Sequence, residues 1–403
     1  PRTLSGGGII RALTPSSNGL EKRPKLRFPG FDEPWSVYKA EELFKNVADK
    51  NHPTETVLTI IQGKGTLPRE QAGRNIHYDD SSLANYKKVK QGDFIIHLRS
   101  FEGGLEMANE DGIVSPAYTI LRCKKPHSSL FYEAYFHTDE FINHILSKSV
   151  EGIRDGRQIS YEAFKWLGLP YCDVSEQEKI AQLFCTLGQR IEKQQQMVDA
   201  LKKYKRGVVS AILSHQLTFS DAAGDPYPEW TTCSLQDAVD FLDGQRKPLE
   251  SADRAKRQGQ YPYYGASGII DYIDDFIFDE PLLLLGEDGA NILNRSTPLC
   301  FIAEGKYWVN NHAHVMRPKA GQNIKFLCEL LESLDYTRYN TGTAQPKLNQ
   351  EKCRRIEIAL PVYEEQCHIA DFLSALDQRA AKAQSILDYL RSNRDGLLQQ
   401  LFI

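Results

Sequence analysis

Two long stretches of the chain carry apolar residues at the same helical spacing. In each, they recur every three or four positions, which is the stripe of an amphipathic helix. The first stripe is Ile180, Leu183, Leu187, Ile191, Val198, Leu201, Val208 and Ile212, with Gln194 and Lys205 at its two remaining positions. A shift of 189 residues gives the second stripe, Ile369, Phe372, Leu376, Ala380, Leu387, Leu390, Leu397 and Leu401. A mean spacing of about 3.5 residues favours a coiled-coil seam.

Residue identity strengthens the relation between the two stretches. Polar as well as apolar residues recur at this offset without an insertion, which a shared helical period alone does not explain. The recurring residues are Glu176, Gln177, Ile180, Ala181, Leu187, Gln189, Arg190, Lys193, Gln195, Asp199, Leu201 and Gly207. The chain therefore contains an internal repeat. Ser175 and Glu178 also form a capping-box signature, which predicts the start of the first helix.

The predicted helices are too long to lie on one small domain. A helix of about 39 residues is roughly 58 Å long, so it protrudes and needs a partner for its apolar stripe. The other copy of the repeat is the obvious partner.

Two segments of similar size alternate with the helices. Runs such as "DFIIHLR" and "LLLLG" predict short strands. "FYEAYFHTDEFINHILS" and "IKFLCELLESL" predict a later helix in each segment, so each is expected to be an α+β globule. We predict a flexible leader at 1–24, a first globular domain at 25–172, the first long helix at 173–216, a second globular domain at 217–361 and the second long helix at 362–403.

Composition limits the possible classes of protein. A length of 403 residues suits two or three domains, and the net charge of −4 argues mildly against a surface that binds polyanions everywhere. No apolar run approaches the ~18 residues of a membrane span, and the Gly-, Ser- and Pro-rich start lacks a signal-peptide pattern. The sequence predicts a cytoplasmic protein without a membrane segment.

Catalytic and metal-binding motifs are weak throughout the chain. "QGKGT" lacks the glycine spacing of a P-loop, and no C-x-x-C pair offers metal or redox chemistry. His312 and His314 point to one face of a predicted strand, but without a third ligand a buried or hydrogen-bonded pair is the better interpretation. We therefore predict no catalytic residue, no metal site and no cofactor in this chain.

Three basic clusters and two polar loops are candidates for contact with DNA. The clusters are "ALKKYKR", "GQRKPLESADRAKRQ" and "KLNQEKCRR", and the loops are "EGIRDGRQIS" and "NTGTAQPKLN". Arg and Gln can read base edges, whereas Lys and hydroxyl groups suit phosphates; an ordinary solvated surface is the alternative. The candidate residues are Arg99, Arg154, Arg157 and Gln158 in the first domain and Tyr263, Ser267, Asn310, Asn311, Thr343, Gln345 and Lys347 in the second.

From about Lys25 to Ile403 the sequence resembles the DNA-specificity subunits of type I restriction-modification systems. The resemblance depends on the Glu-Gln helix openings at 176–177 and 365–366 and on the closing "GLLQQLF". In the second domain it depends on "YPYYGASGIIDYIDDFIF", "EDGAN", "WVNNHAHV" and "TGTAQPKLN".

The resemblance implies two target-recognition domains, each reading one half of a split double-stranded DNA sequence. It implies that the two helices pair as an antiparallel coiled coil, related by a pseudo-two-fold axis, that sets the spacing between the domains. It further implies two methyltransferase subunits, which bring S-adenosylmethionine and flip the target adenine, and two restriction and translocation subunits. ATP and Mg²⁺ are expected on these partners, and this chain is expected to be non-catalytic.

Two other classes of protein remain open at the level of sequence. One is a stand-alone DNA nuclease or methyltransferase. The other is a coiled-coil interaction scaffold that does not bind nucleic acid. DNA affinity that falls steeply with salt, together with a preference for specific sequences, would separate DNA recognition from the scaffold.

Overall fold

The computed structural model describes residues 11–12, 24–73, 80–152, 157–342 and 345–402. The chain divides into two compact units, Pro1–Gln195 with Ser385–Ile403 (unit 1) and Gln196–Gln384 (unit 2). Each long helix therefore contributes one part to each unit. Most of the predicted leader at 1–24 lies outside the described residues; within it, Arg11–Ala12 pairs with the strand Leu26–Arg27.

Unit 1 is centred on a four-stranded antiparallel sheet. Its strands are β1 (Phe44–Val47), β2 (Phe94–Ile96), β3 (Glu106–Met107) and β4 (Thr119–Cys123), in the order β1-β4-β2-β3. Helix α1 (Ser129–Phe136) packs its aromatic side chains against this sheet, with Tyr132 5.2 Å from the ring of Phe44. Short strand pairs complete the unit: Ser36–Lys39 with Gly168–Tyr171, Leu58–Ile61 with Gly65–Pro68, Lys87–Val89 with Gly112–Val114, and Val150–Glu151 with Gln158–Ile159.

Unit 2 contains two four-stranded sheets. Their strands are β5 (Val239–Phe241), β6 (Gln258–Gly265), β7 (Gly268–Ile273), β8 (Phe278–Asp279), β9 (Leu282–Gly286), β10 (Cys300–Ala303), β11 (Lys306–Val309) and β12 (Ala313–Pro318). The orders are β5-β12-β9-β10 and β7-β6-β11-β8, and the β6–β11 pair is parallel. Helix α2 (Ile324–Ser333) packs against β10, and Thr231–Ser234 pairs with Glu357–Leu360.

The apolar run in β9 is buried on both faces of its sheet. Leu283 and Leu285 enter the cluster that contains α2, whereas Leu282 and Leu284 enter a second cluster on the opposite face. Alternate side chains of a strand point to opposite faces, so a strand covered on both sides is apolar at every position. Both units thus mix helices and strands.

The two long helices span Val174–Leu213 and Tyr363–Leu401. All the apolar stripe positions are buried or half-buried. The capping box predicted at Ser175 is wrong, because the helix begins earlier and the Asp173 carboxylate accepts a hydrogen bond from the backbone N–H of Ser175 at 2.9 Å. Within the described ranges, no helix is long and apolar enough to cross a membrane.

Within each unit, the segments of the two long helices run in opposite directions. In unit 1, Phe184 stacks on Phe402 at 6.0 Å, and further along the first helix Gln195 accepts a hydrogen bond from Arg391 at 2.9 Å. In unit 2, the Lys205 ammonium lies 2.8 Å from the Asp377 carboxylate, while Ile212 and Ile369 share one apolar cluster. In both cases, residue numbers rise on one helix as they fall on the other.

The repeated glutamine at the helix openings makes the same contacts twice. The side-chain oxygen of Gln177 accepts a hydrogen bond from the backbone N–H of Ser128 at 3.0 Å, immediately before α1. Gln366 accepts one from the N–H of Asn323 at 2.9 Å, immediately before α2. In both units the amide nitrogen also donates to the carbonyl oxygen five residues earlier, at 2.9 and 3.0 Å. We call this arrangement the glutamine clamp; it joins each long helix to the shorter helix of its unit.

The glutamate before each clamp has different partners in the two units. Arg27 forms a buried two-pronged ion pair with Glu176, at 2.7 and 2.8 Å, and Trp35 donates a third hydrogen bond at 3.1 Å. Trp230 lies close to Glu365 and favours its ionised form, but Glu365 Oε2 is buried without a hydrogen-bond partner among the described residues. Both units therefore have a glutamate beside a tryptophan, but only unit 1 has an arginine paired with that glutamate.

We expect the substitution Glu365→Gln to stabilise unit 2 at neutral pH. Burial raises the pKa of Glu365, and the nearby Trp230, His215 and His368 offset this only in part. Because the folded chain holds this proton more tightly than the unfolded chain, stability is lost as the pH rises through the folded pKa. Denaturant unfolding between about pH 4 and pH 8 should show this loss in the wild type and not in the variant. Glu364 is exposed, so the control Glu364→Gln should leave the pH dependence of the unfolding free energy unchanged. If Glu365→Gln also left it unchanged, the raised pKa of Glu365 would be contradicted.

Candidate functional site

In unit 1, three of the predicted contact residues lie close together. Arg99 precedes the short helix Ser100–Gly103, and its side chain is 71% exposed. The guanidinium of Arg157 lies 4.3 Å from the ring of Phe101 in that helix, and the exposed Gln158 is the next residue. The structure thus provides two arginines and one glutamine in a single region of the surface.

A buried carboxylate supports this region from below. Glu106 accepts hydrogen bonds from the backbone N–H groups of Gly63 and Gly65 at 2.7 and 2.9 Å, and it lies 3.3 Å from Nε2 of His137. Burial opposes ionisation, but these contacts hold the pKa of Glu106 below its ordinary value. Glu106 thereby fixes the turn that contains Gly63 and Gly65. Gln62, next to this turn, packs directly against the end of the helix Ser100–Gly103, because a Cβ on Gly103 would lie only 1.9 Å from the Gln62 side chain.

In unit 2, four loops meet beside the sheets. They are the hairpin turn (265–268), the acidic turn (287–290), the asparagine turn (310–312) and the polar loop (340–342 and 345–348). Hydrogen bonds join Glu287 N to His312 O (2.8 Å), Gly289 N to Pro346 O (3.0 Å) and Asn310 N to Tyr264 O (3.0 Å). The hairpin turn lies against β9, since a Cβ on Gly286 would be 2.8 Å from the carbonyl oxygen of Ala266.

These loops bring together five of the predicted contact residues. Ser267 is exposed in the hairpin turn, Asn310 and Asn311 begin the asparagine turn, and Gln345 is exposed in the polar loop. The Lys347 ammonium lies 3.3 Å from a Glu287 carboxylate oxygen, so its charge is partly balanced within the site.

The remaining predicted residues have other positions. Tyr263 is fully buried; its hydroxyl accepts a hydrogen bond from Leu249 N at 2.9 Å, and the Arg254 guanidinium lies 5.1 Å from its ring. It therefore supports the site from beneath. Arg154 and Thr343 lie outside the described residues.

Several basic residues of the clusters form ion pairs within unit 2. Arg246 lies 2.7 Å from Glu287, Arg254 lies 3.1 Å from Asp271, and Arg257 lies 2.8 Å from Asp274. In the cluster on the first long helix, Lys205 pairs with Glu329 and Asp377. Much of the positive charge that the sequence offers in these clusters thus stabilises the fold.

Sequence reasoning missed a buried network beneath the polar loop. His314, on β12, is fully buried, with Nδ1 2.7 Å from Asp243 Oδ2 and Nε2 2.8 Å from the carbonyl oxygen of Leu348. Asp243 also accepts hydrogen bonds from Val315 N and Gln350 Nε2, at 2.8 and 2.9 Å. Both neighbours of the imidazole are therefore acceptors, so each ring nitrogen donates a proton and the ring is positively charged. This charge anchors the end of the polar loop to the sheet.

The two histidines do not share a strand face. β12 begins at Ala313, so His312 lies in the asparagine turn, where its Nδ1 is 2.7 Å from Asp288 Oδ2. Each histidine is hydrogen-bonded to a separate acid, in agreement with the hydrogen-bonded interpretation. Over the described ranges, no group of three or more His, Cys, Asp or Glu side chains could hold a metal ion.

We expect His314→Gln to lower the free energy of unfolding by about 2–3 kcal/mol at neutral pH, because one charged hydrogen bond is lost from a buried site. Burial opposes protonation, but the hydrogen bond to Asp243 and the neighbouring Cys353 raise the pKa of His314 to about 10. The contribution of a raised histidine pKa is complete below its unfolded value and is lost as the pH rises through the folded value. The difference between wild type and variant in denaturant unfolding should therefore shrink from about pH 7 to pH 10. A difference that is constant over this range would contradict a charged His314.

Comparison with known proteins relates part of unit 2 to a family. Residues 227–388 match the family model for the type I restriction modification DNA specificity domain. The chain is 34% identical over 149 residues to a putative type I restriction enzyme specificity subunit of Haemophilus influenzae, and 28% identical over 125 residues to the EcoprrI specificity subunit of Escherichia coli. The aligned segments cover 37% and 31% of this chain, and 37% and 30% of those proteins.

The fold of the whole chain is similar to solved structures. The type I S subunit from M. genitalium has a TM-score of 0.58 at 15% identity, and the match covers 95% of this chain and 99% of that one. A structure solved in work on complex assembly and conformational transition of the type I R-M system has a TM-score of 0.55 at 14% identity, covering 92% and 98% of the two chains. At these identities the likeness concerns the fold.

The chain thus has the mixed helix and strand fold of a type I specificity subunit. Its residues 227–388 carry the similarity to the type I restriction modification DNA specificity domain. This segment includes the four loops of unit 2 and the motifs "EDGAN", "WVNNHAHV" and "TGTAQPKLN".

Proposed function

We propose that this chain is the specificity subunit of a type I restriction-modification complex, and that each unit reads one half of a bipartite DNA sequence. One observation carries the proposal. Both units attach a long helix by the same glutamine clamp, whereas their exposed loops carry different side chains. A repeated scaffold with dissimilar loops suits two readers of different sequences, because specific contacts come from loops on a rigid frame.

The loop chemistry of both units is suited to DNA. In unit 1, Arg99, Arg157 and Gln158 offer planar donors for base edges or phosphates. In unit 2, Ser267, Asn311 and Gln345 are exposed, and Lys347 is half-exposed. The proposed reading domains are residues 25–172 and 217–361.

The two long helices, proposed at 173–216 and 362–403, form one antiparallel coiled coil that sets the distance between the readers. Support comes from the opposite directions of their segments in each unit and from the burial of the stripe residues. At 1.5 Å per residue the helices are about 60 Å long, compared with ~34–36 Å for one turn of DNA. The unread gap between the half-sites would follow from this length.

Catalysis belongs to partner subunits in this proposal. Two methyltransferase subunits would bring S-adenosylmethionine, and two restriction and translocation subunits would bring ATP and Mg²⁺. The chain itself would supply recognition and spacing.

Purified full-length chain provides the direct test. Incubated with DNA, Mg²⁺ and S-adenosylmethionine, it should neither cleave nor methylate, and its DNA affinity should fall steeply with salt while retaining a preference for specific sequences. Robust turnover would support the stand-alone enzyme. Absence of sequence preference at every salt concentration would support the interaction scaffold.

A further inference from the structure

A cleft in unit 2 lies between the β6–β7 hairpin and the asparagine turn. Its volume is about 520 Å³, and its lining includes Arg254, Tyr263, Ile270, Asn310 and Asn311. Tyr263 and Arg254 are held by the hydrogen bonds and ion pair described above. The glutamine clamp and the His314 network do not involve Ile270 or Asn310.

The side-chain amide of Asn310 has a defined orientation. Asn310 is only 4% exposed, and its Oδ1 accepts a hydrogen bond from the backbone N–H of His312 at 2.8 Å. A backbone N–H can only donate, so the atom facing it is the oxygen and the opposite atom is the amide nitrogen. This nitrogen has no hydrogen-bond partner among the described residues. It is not sealed from solvent, so it is a donor at the surface of the cleft that can meet an acceptor from outside the chain.

An apolar side chain lies beside this donor. Ile270 is 53% exposed, so its methyl groups are open to contact from outside the chain. The Asn310 donor and the Ile270 methyl groups both lie next to Gly265 in the hairpin. A Cβ on Gly265 would be 3.2 Å from the Ile270 methyl carbons and 3.6 Å from Asn310 Nδ2. The hairpin is a two-stranded β-ribbon with β7 at the sheet edge, and such a ribbon fits the major groove of DNA.

A hydrogen-bond acceptor next to a methyl group is the major-groove signature of thymine, which presents O4 and the C5-methyl. We propose that Asn310 and Ile270 determine specificity for a thymine in the half-site read by unit 2, with Asn310 Nδ2 donating to O4 and Ile270 contacting the C5-methyl. The inference rests on the proposed function and deepens it.

Modified bases separate the two contacts. DNA is first selected from a random library with the full-length chain, and each thymine of the selected site is then replaced singly by uracil or by 5-methylcytosine paired with guanine. Uracil retains O4 but lacks the methyl group, and should bind about fourfold more weakly. The 5-methylcytosine retains the methyl group but presents an amino donor in place of O4, and should bind roughly tenfold more weakly or worse.

Substitutions should change these ratios in opposite ways. Asn310→Asp keeps the acceptor for His312 N–H but replaces the free donor by an acceptor, so it should prefer 5-methylcytosine over thymine at that one position. Ile270→Ala should bind thymine and uracil equally and still reject 5-methylcytosine. The matched controls are Asn294→Asp, which adds the same charge outside the cleft at an exposed asparagine whose Oδ1 also accepts a backbone hydrogen bond, and Ile269→Ala on the opposite face of β7; both should keep the wild-type base preference.

Three outcomes are distinguishable. A wild-type chain that selects no sequence would overturn the proposed function itself. A selected site in which no thymine shows the uracil and 5-methylcytosine penalties would overturn this inference and leave the proposed function in place. Variants with wild-type melting temperatures that alter the two ratios as described at a single base pair would establish both contacts.

Discussion

Arg27→Met is expected to lower the free energy of unfolding by about 3–5 kcal/mol, because it leaves a buried carboxylate without its counter-charge. Arg27 and Glu176 are 3% and 0% exposed, and two hydrogen bonds of 2.7 and 2.8 Å join them. After the substitution, Glu176 would retain only the hydrogen bond from Trp35. Denaturant unfolding at neutral pH measures the loss, and hydrogen exchange in α1 and the start of the first long helix would locate it in unit 1.

Two further variants test whether the loss comes from the unpaired buried charge of Glu176. Arg190→Met removes an exposed arginine from the same long helix and should change stability by no more than about 0.5 kcal/mol. The double variant Arg27→Met with Glu176→Gln removes both charges and should recover part of the loss, because the cost lies in the unpaired buried charge. If Arg27→Met were as mild as Arg190→Met, the ion pair would not be important for the stability of unit 1.

Removing two heptads in register from both long helices is expected to shorten the preferred gap between half-sites. Fourteen residues correspond to about 21 Å of helix, or roughly six base-pair steps. Multiples of seven preserve the apolar seam, so the shortened helices should still pair. Selection of binding sites from random DNA would measure the gap and the half-site sequences together.

A deletion in only one helix provides the control. It leaves the stripes unequal in length and should impair folding or binding, whereas the paired deletion should not. Unchanged half-sites with a shorter gap are the expected result of the paired deletion. Altered half-sites with the original gap would contradict a spacing role for the helices.

The helices were predictable because their signal is local and periodic. A stripe of apolar residues repeated at an offset of 189 positions predicts two similar helices, and the structure buries the stripe in both. Their ends were less predictable: Asp173 rather than Ser175 provides the first side-chain cap, because either residue type can serve. The recurrent Glu-Gln pair was visible in the sequence, but its contacts with Ser128 and Asn323 were not.

Pairings between distant residues limited the prediction of the site. Arg27 meets Glu176 across 149 positions, and His314 meets Asp243 across 71. Nothing local in the sequence distinguishes a charge with such a partner from a free one. For this reason the basic cluster around Arg254 suggested a phosphate-binding surface, whereas the structure pairs Arg254 with Asp271 and buries Tyr263 beneath it.

Mapping methylated adenines across the genome of a cell that carries this chain together with the proposed methyltransferase subunits tests the central claim most directly. We predict one bipartite motif, with two short halves of defined sequence separated by a constant number of unspecified base pairs. A continuous motif, or half-sites whose separation varies from one methylated position to another, would contradict two readers held at a fixed distance by paired helices.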